Sequence, residues 1–125
     1  MIYGIGVDLI EIDRIRQAIE RTGQRFIDRL YTEAEQVFCL THHPPYACYA
    51  ARFAAKEAFL KALGTGLRRG MRWRDIEVCP DQLRKPHLQL HGSLQERCAT
   101  EGLGNMHLSL SHSSRYAVAQ VVIER

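Results

Sequence analysis

The stretch that most limits what this chain can become is PYACYAARFAAKEAFLKAL, residues 45–63, its longest helical pattern. It is rich in alanine, the residue that costs a helix least. Gly64 supplies a C-terminal stop, and Pro44 and Pro45 break whatever precedes it. Ala50, Phe53, Glu57, Leu60 and Gly64 recur at spacings of three and four, so they share one face. That face is apolar except for Glu57. Lys61 lies one turn further on, and a Glu-before-Lys pair on a surface contributes only about 0.3–0.5 kcal/mol. One reading of Glu57 is therefore an ordinary exposed pair. The other is a carboxylate kept in an apolar stripe for a ligand.

The other elements are short. MIYGIGVDLIEI opens the chain as a strand, with Ile5, Val7 and Leu9 alternating with Gly6 and Asp8. A helix begins at about Asp13, with Ile12, Ile15 and Ile19 on one stripe and Gly23 as its cap. RFIDRLY is a short helical piece. Thr32 and Glu35 form a capping box for a third helix reaching about Thr41. GTGLRRG reads as a loop, RDIEVC and PHLQLH as strands. Ser93 and Glu96 cap a further helix, which Gly102 ends. MHLSLSH and YAVAQVVI form a hairpin around Ser113 and Ser114. The last strand is apolar on both faces, which predicts a central place in a sheet or a subunit contact. The pattern predicts an α+β fold with a largely antiparallel sheet. At 125 residues, it forms a single domain, 1–125.

Composition narrows the class. Hydrophobic residues make up 46% and charged residues 25%, a globular balance. No apolar run approaches the ~18 residues of a membrane span, and the N-terminus lacks signal-peptide features, so a soluble cytoplasmic protein is expected. Four dispersed cysteines without a CxxC pair predict free thiols. A zinc site built from Cys39, His42, His43 and Cys48 would match no standard spacing. The net charge is only +3, yet fourteen of the 17 basic residues are arginine, whose planar fork suits phosphates and carboxylates.

Asp8 stands among Val7, Leu9 and Ile10 and needs a partner if it is even partly buried. It is either an edge residue facing water or a metal ligand beside glycines that allow close approach. Asp8 and Glu57 together suit Mg²⁺, which takes one or two carboxylates, waters and phosphate oxygens. Arg52, Lys56 and Lys61 on the long helix, and the Gly64–Gly66 turn after it, complete a metal-assisted phosphate site. Arg14, Arg21 and Arg25 form a basic cluster on and after the first helix. Such a cluster is either a solvated face or a docking surface for an acidic partner.

GIGVDLIEIDRI, RFAAKEAFLKALGTG and LSLSHSSRYAVAQVVI, in this order and at these separations, resemble the holo-[acyl-carrier-protein] synthases, the short class of 4′-phosphopantetheinyl transferases. The FxxKExxxKxxG pattern of the middle block is the specific part. The resemblance implies transfer of 4′-phosphopantetheine from coenzyme A to a serine of apo acyl carrier protein. Adenosine 3′,5′-bisphosphate is released, Mg²⁺ is required, and the setting is fatty acid biosynthesis. It places the metal carboxylates, and so the catalytic centre, on Asp8 and Glu57, with Lys61 at the pyrophosphate. Nucleotide contacts fall on Arg52, Gly64, Thr65 and His112, and carrier docking on Arg14, Arg21 and Arg25. It also implies a homotrimer with active sites between subunits, and neither nucleic acid nor membrane as partner. A third carboxylate, which longer transferases carry two residues beyond the Asp, is replaced here by Ile10. The His42-His43-Pro44-Pro45 segment matches nothing in the family pattern.

Two rivals are consistent with the residues alone. A Mg²⁺-dependent nuclease would use Asp8 and Glu57 with Asp75 or Glu77 as a further ligand. It predicts steeply salt-dependent binding, against which the small net charge and the lack of a stacking array of aromatics speak. A non-catalytic module docking an acidic partner through its arginine helix would need neither metal nor coenzyme A.

Overall fold

Alanine decides how the long helix packs. In the computed structural model, which describes residues 1–68 and 70–125, it is α4 (Tyr46–Leu63). Ala50, Ala51, Ala54, Ala55, Ala58 and Ala62 are all buried along it. The first strand, β1 (Ile2–Glu11), crosses α4 so closely that side chains must be absent from it. A Cβ on Gly4 would lie 1.8 Å from the Ala62 carbonyl oxygen, and one on Gly6 would lie 1.9 Å from that of Ala58. Both obstacles are backbone, so neither can swing aside. Gly6→Ala is expected to lower stability by about 1–3 kcal/mol, read as an earlier urea midpoint. An unchanged midpoint would mean that β1 does not need this approach.

β1 pairs antiparallel with β5 (Tyr116–Glu124), which pairs antiparallel with β4 (Asn105–His112), giving the order β1-β5-β4. The strand that is apolar on both faces is thus the central one, as its sequence predicts. Its inner face buries Ala117, Ala119, Val121 and Ile123 against α4. Its outer residues Val118 and Val122 stand opposite Leu9 and Ile5. Leu9, Val7 and Ile5 remain 64%, 55% and 56% exposed. The sheet therefore carries an apolar outer face.

The first three helices are α1 (Ile12–Thr22), α2 (Gln24–Leu30) and α3 (Glu33–Cys39). Gly23 ends α1 at φ +68°, its N–H donating to the Ile19 carbonyl. The Thr32–Glu35 capping box forms as expected. A second, two-stranded sheet pairs β2 (Ile76–Pro80) with β3 (Pro86–Leu90), and α5 (Gly92–Thr100) follows it. Here the expected Ser93 cap is not made. His91 is the N-cap residue, and the Ser93 hydroxyl donates to the Gly70 carbonyl instead. The expected 64–70 loop includes Arg69, which lies outside the described residues.

Two further findings correct the sequence reading. Lys56 is not a phosphate cation: its side chain is fully buried and donates to Glu35 Oε1 at 2.8 Å. It also donates to the carbonyls of Trp73 at 3.2 Å and Ile76 at 2.5 Å. Three elements are tied by this one ammonium. The cysteines are not all free thiols either. Cys39 and Cys48 are joined, with their Cα atoms 5.4 Å apart, while Cys79 and Cys98 are free. The pairing follows from the turn after α3, which folds the start of α4 back against the end of α3. It also removes the thiols that a zinc site there would need.

Candidate active site

Alternation along β1 turns Gly4, Gly6 and Asp8 to the α4 side while Ile5, Val7 and Leu9 face out. The glycines bring the strand onto the helix, and Asp8 arrives beside the one charged stretch of α4. Lys61 Nζ donates to Asp8 Oδ1 at 3.0 Å and to the Val7 carbonyl at 3.1 Å. Lys61 thus reaches across to β1 rather than back along its own helix to Glu57, so of the two readings of Glu57 the ordinary surface pair is not the one formed. Burial raises the pKa of Glu57, the nearby Asp8 carboxylate raises it further, and Lys61 opposes both. Two carboxylates and one ammonium therefore sit within electrostatic reach of one another.

Asp8, Glu57 and Lys61 line one cavity of about 670 Å³, together with Arg14 and Arg21. Gln17 and Ala18 line it too. Residues 14, 17, 18 and 21 follow helical spacing, so one whole face of α1 forms the wall. Arg25 is exposed on α2 and does not line it. Phe26 and Phe53 supply an apolar wall, a role in the site that the sequence pattern alone does not assign to either. Phe53 stands one turn before Glu57 on the same stripe, a signal that was available.

Gly64 and Thr65 border a second cavity of about 470 Å³, which shares Glu57 and Lys61 with the first. The Glu57–Lys61 turn is thus a ridge with open space on both sides. Gly64 ends α4 at φ +86°, as expected of a left-handed cap. Arg52 and His112 line a different cavity, of about 350 Å³, toward the other end of α4. Within one chain they are not brought to Asp8. Arg52 is buried, which lowers its pKa.

The nuclease reading loses its extra ligands. Asp75 accepts from the Arg72 backbone and guanidinium, and Glu77 accepts from Thr32 Oγ1 and meets His91 Nε2. Neither lines the Asp8 cavity. Among the described residues no group of three His, Cys, Asp or Glu side chains is poised for a metal. The donor set is two carboxylates, which fits a cation that completes its shell with water and phosphate oxygens. No helix among the described residues is long and apolar enough to cross a membrane.

The model of the 4′-phosphopantetheinyl transferase superfamily matches residues 4–121. The chain belongs to this superfamily. It is 48% identical over 124 residues to the holo-[acyl-carrier-protein] synthase of Trichlorobacter lovleyi, covering 99% of this chain and 98% of the relative. Its fold superposes on the crystal structure of the holo-[acyl-carrier-protein] synthase of Neisseria meningitidis with a TM-score of 0.92. There the identity is 37%, and 100% of both chains is covered. The synthase of Bacillus anthracis, solved in complex with CoA (3′,5′-ADP), gives a TM-score of 0.80 at 38% identity, covering 98% of this chain and 96% of that one. Membership of this branch makes the chain a 4′-phosphopantetheinyl transferase of the holo-[acyl-carrier-protein] synthase type.

Proposed function

We propose that this protein transfers 4′-phosphopantetheine from coenzyme A to a serine of an apo acyl carrier protein in a Mg²⁺-dependent reaction that releases adenosine 3′,5′-bisphosphate. The observation that carries this reading is the meeting of Asp8, Glu57 and Lys61 in one cavity walled by Arg14 and Arg21. Asp8 and Glu57 would hold the Mg²⁺, which when bound offsets charge on the pyrophosphate oxygens. Lys61 already bonds a carboxylate oxygen of Asp8 and can pass its donors to a phosphate oxygen. Glu57, which lies in the same cavity as Asp8 and Lys61, accepts the proton of the attacking serine hydroxyl. Positioning and electrostatics carry most of such a transfer.

Arg14 and Arg21 form the near rim of a docking surface for the acidic carrier, which Arg25 extends beyond the cavity. Gly64, Thr65, Arg52 and His112 contact the nucleotide end of coenzyme A. Arg52 and His112 lie in a separate cavity of the single chain, and assembly reconciles this. The apolar outer face of the sheet, with Ile5, Val7 and Leu9 more than half exposed, is suited to pack against further copies. A homotrimer joined there, with active sites between subunits, lets both cavities serve one coenzyme. The setting we assign is cytoplasmic fatty acid synthesis.

Incubation with coenzyme A, Mg²⁺ and an apo acyl carrier protein, followed by intact-mass measurement of the carrier, tests the proposal. One phosphopantetheine should be gained, and omission of Mg²⁺ should abolish the gain. No gain across several apo carriers would overturn the reading.

A further inference from the structure

Arg52 is a buried cation held by weak partners. The residue is 5% exposed, and its buried Nε has no hydrogen-bond partner among the described residues. Its guanidinium carbon lies 4.3 Å from the centre of the Phe38 ring. Nη1 donates to Cys48 Sγ at 3.3 Å. A buried cation is thus met by an aromatic face and a sulfur atom. That sulfur is half of the Cys39–Cys48 bond, which joins the end of α3 to the first turn of α4. The bond encloses the unassigned His42-His43-Pro44-Pro45 segment. Arg52, Cys48, His42, His43 and His112 line one cavity of about 350 Å³.

The sulfur's oxidation state changes what Arg52 meets. A disulfide sulfur is neutral and a weak acceptor, whereas a thiolate is an anion that makes a charge-assisted bond. Cys48 is the third residue of an 18-residue helix, where the helix dipole favours negative charge. The Arg52 guanidinium, 3.3 Å from that sulfur, favours the same charge. Reduction therefore replaces a neutral neighbour of Arg52 with an anion already at bonding distance.

We propose that Cys39 and Cys48 are a redox-active pair that sets the affinity of the Arg52 cavity for a phosphate monoester. In the oxidised form Arg52 is available to the phosphate; in the reduced form the Cys48 thiolate occupies it. The reductant is a dithiol. Its thiolate enters through the cavity and attacks Cys48 Sγ, breaking the Sγ–Sγ bond, and Cys39 leaves as a thiolate that takes up a proton. The dithiol's second sulfur then attacks its own sulfur in the mixed disulfide. The dithiol becomes a cyclic disulfide and Cys48 departs as the thiolate. Two electrons move from the dithiol to the protein pair. Disulfides in reducing compartments are mostly transient and redox-sensing, which fits a bond placed against a ligand cavity. The choice of ligand rests on the coenzyme reading above.

The test is calorimetric titration of the full-length protein with adenosine 3′,5′-bisphosphate and with coenzyme A, after air oxidation and again in excess dithiothreitol. The oxidised protein should bind about tenfold more tightly, the difference of one charge-assisted contact. Cys48→Ala should show no difference between the two conditions. Cys39→Ser, which leaves Cys48 as a lasting thiolate, should stay at the weaker value in both. Alkylation of the oxidised protein under denaturation should label Cys79 and Cys98 only, and after reduction all four cysteines. Four labelled cysteines without reduction would overturn the proposal. Equal binding in both states would overturn it and leave the coenzyme reading standing, while binding in neither state would overturn both.

Discussion

Lys56→Met is expected to lower stability by about 3–5 kcal/mol, because it strands a buried carboxylate. Glu35 is 1% exposed. Its Oε1 accepts from Lys56 Nζ and from the Thr32 N–H, and its Oε2 accepts from the Val78 N–H. Without the ammonium, a charge remains in the core and the carbonyls of Trp73 and Ile76 lose their donor. Adding Glu35→Gln removes that charge. It also keeps a side chain able to close the capping box, since glutamine serves there as glutamate does. The double variant should therefore regain a large part of the loss, measured by urea denaturation. Losses that simply add would show that the two residues are not coupled.

The pair also bears on function. Lys56 immediately precedes Glu57, and it fixes α4 against α3 and β2. Weakening it should loosen the rotation that turns Glu57 and Lys61 toward β1. The sequence offered Lys56 as a phosphate ligand because it shares a helix with Arg52 and Lys61. Helical spacing puts Lys56 on another face from Glu57, but it does not say which faces have a partner. Glu35, three residues after Thr32, has the spacing of a cap, and it is one. Its second role needs β2 and α4 beside it, and those contacts span 43 and 21 residues of sequence.

What was legible depended on local chemistry. The capping box, the glycine stops after α1 and α4, and the central place of β5 each follow from residues adjacent in sequence or alternating on one strand. Asp8 and Glu57 were legible as anomalies, being charges in apolar patterns. The close passage of β1 over α4, which brings them together, was only hinted at by Gly4 and Gly6. The Cys39–Cys48 bond was not legible. Composition favours free thiols in a chain with so few cysteines, and only the fold-back of α4 on α3 brings this pair together. The division of the expected nucleotide contacts between two cavities was equally hidden. Arg52 and Lys61 share α4, yet they open to different sides of the molecule.

Glu57→Gln is expected to reduce turnover by roughly 10²–10⁴-fold at saturating Mg²⁺, the usual contribution of a positioned base. Near-normal turnover would remove Glu57 as the proton acceptor. Asp8→Ala should shift the Mg²⁺ titration to higher concentration, and an unchanged titration would remove Asp8 from the site. The charges around Glu57 give a further test, read by following its carboxyl group in metal-free protein by NMR. Burial holds its pKa above the ordinary value, the Asp8 charge adds to this, and Lys61 acts against both. Asp8→Asn should therefore lower the pKa of Glu57, and Lys61→Met should raise it. Because the reaction needs Glu57 ionised, loss of Lys61 should also move the acidic limb of the activity profile to higher pH. A shift of the Glu57 titration in the opposite sense in either variant would mean that these three side chains do not form the electrostatic unit on which the mechanism depends.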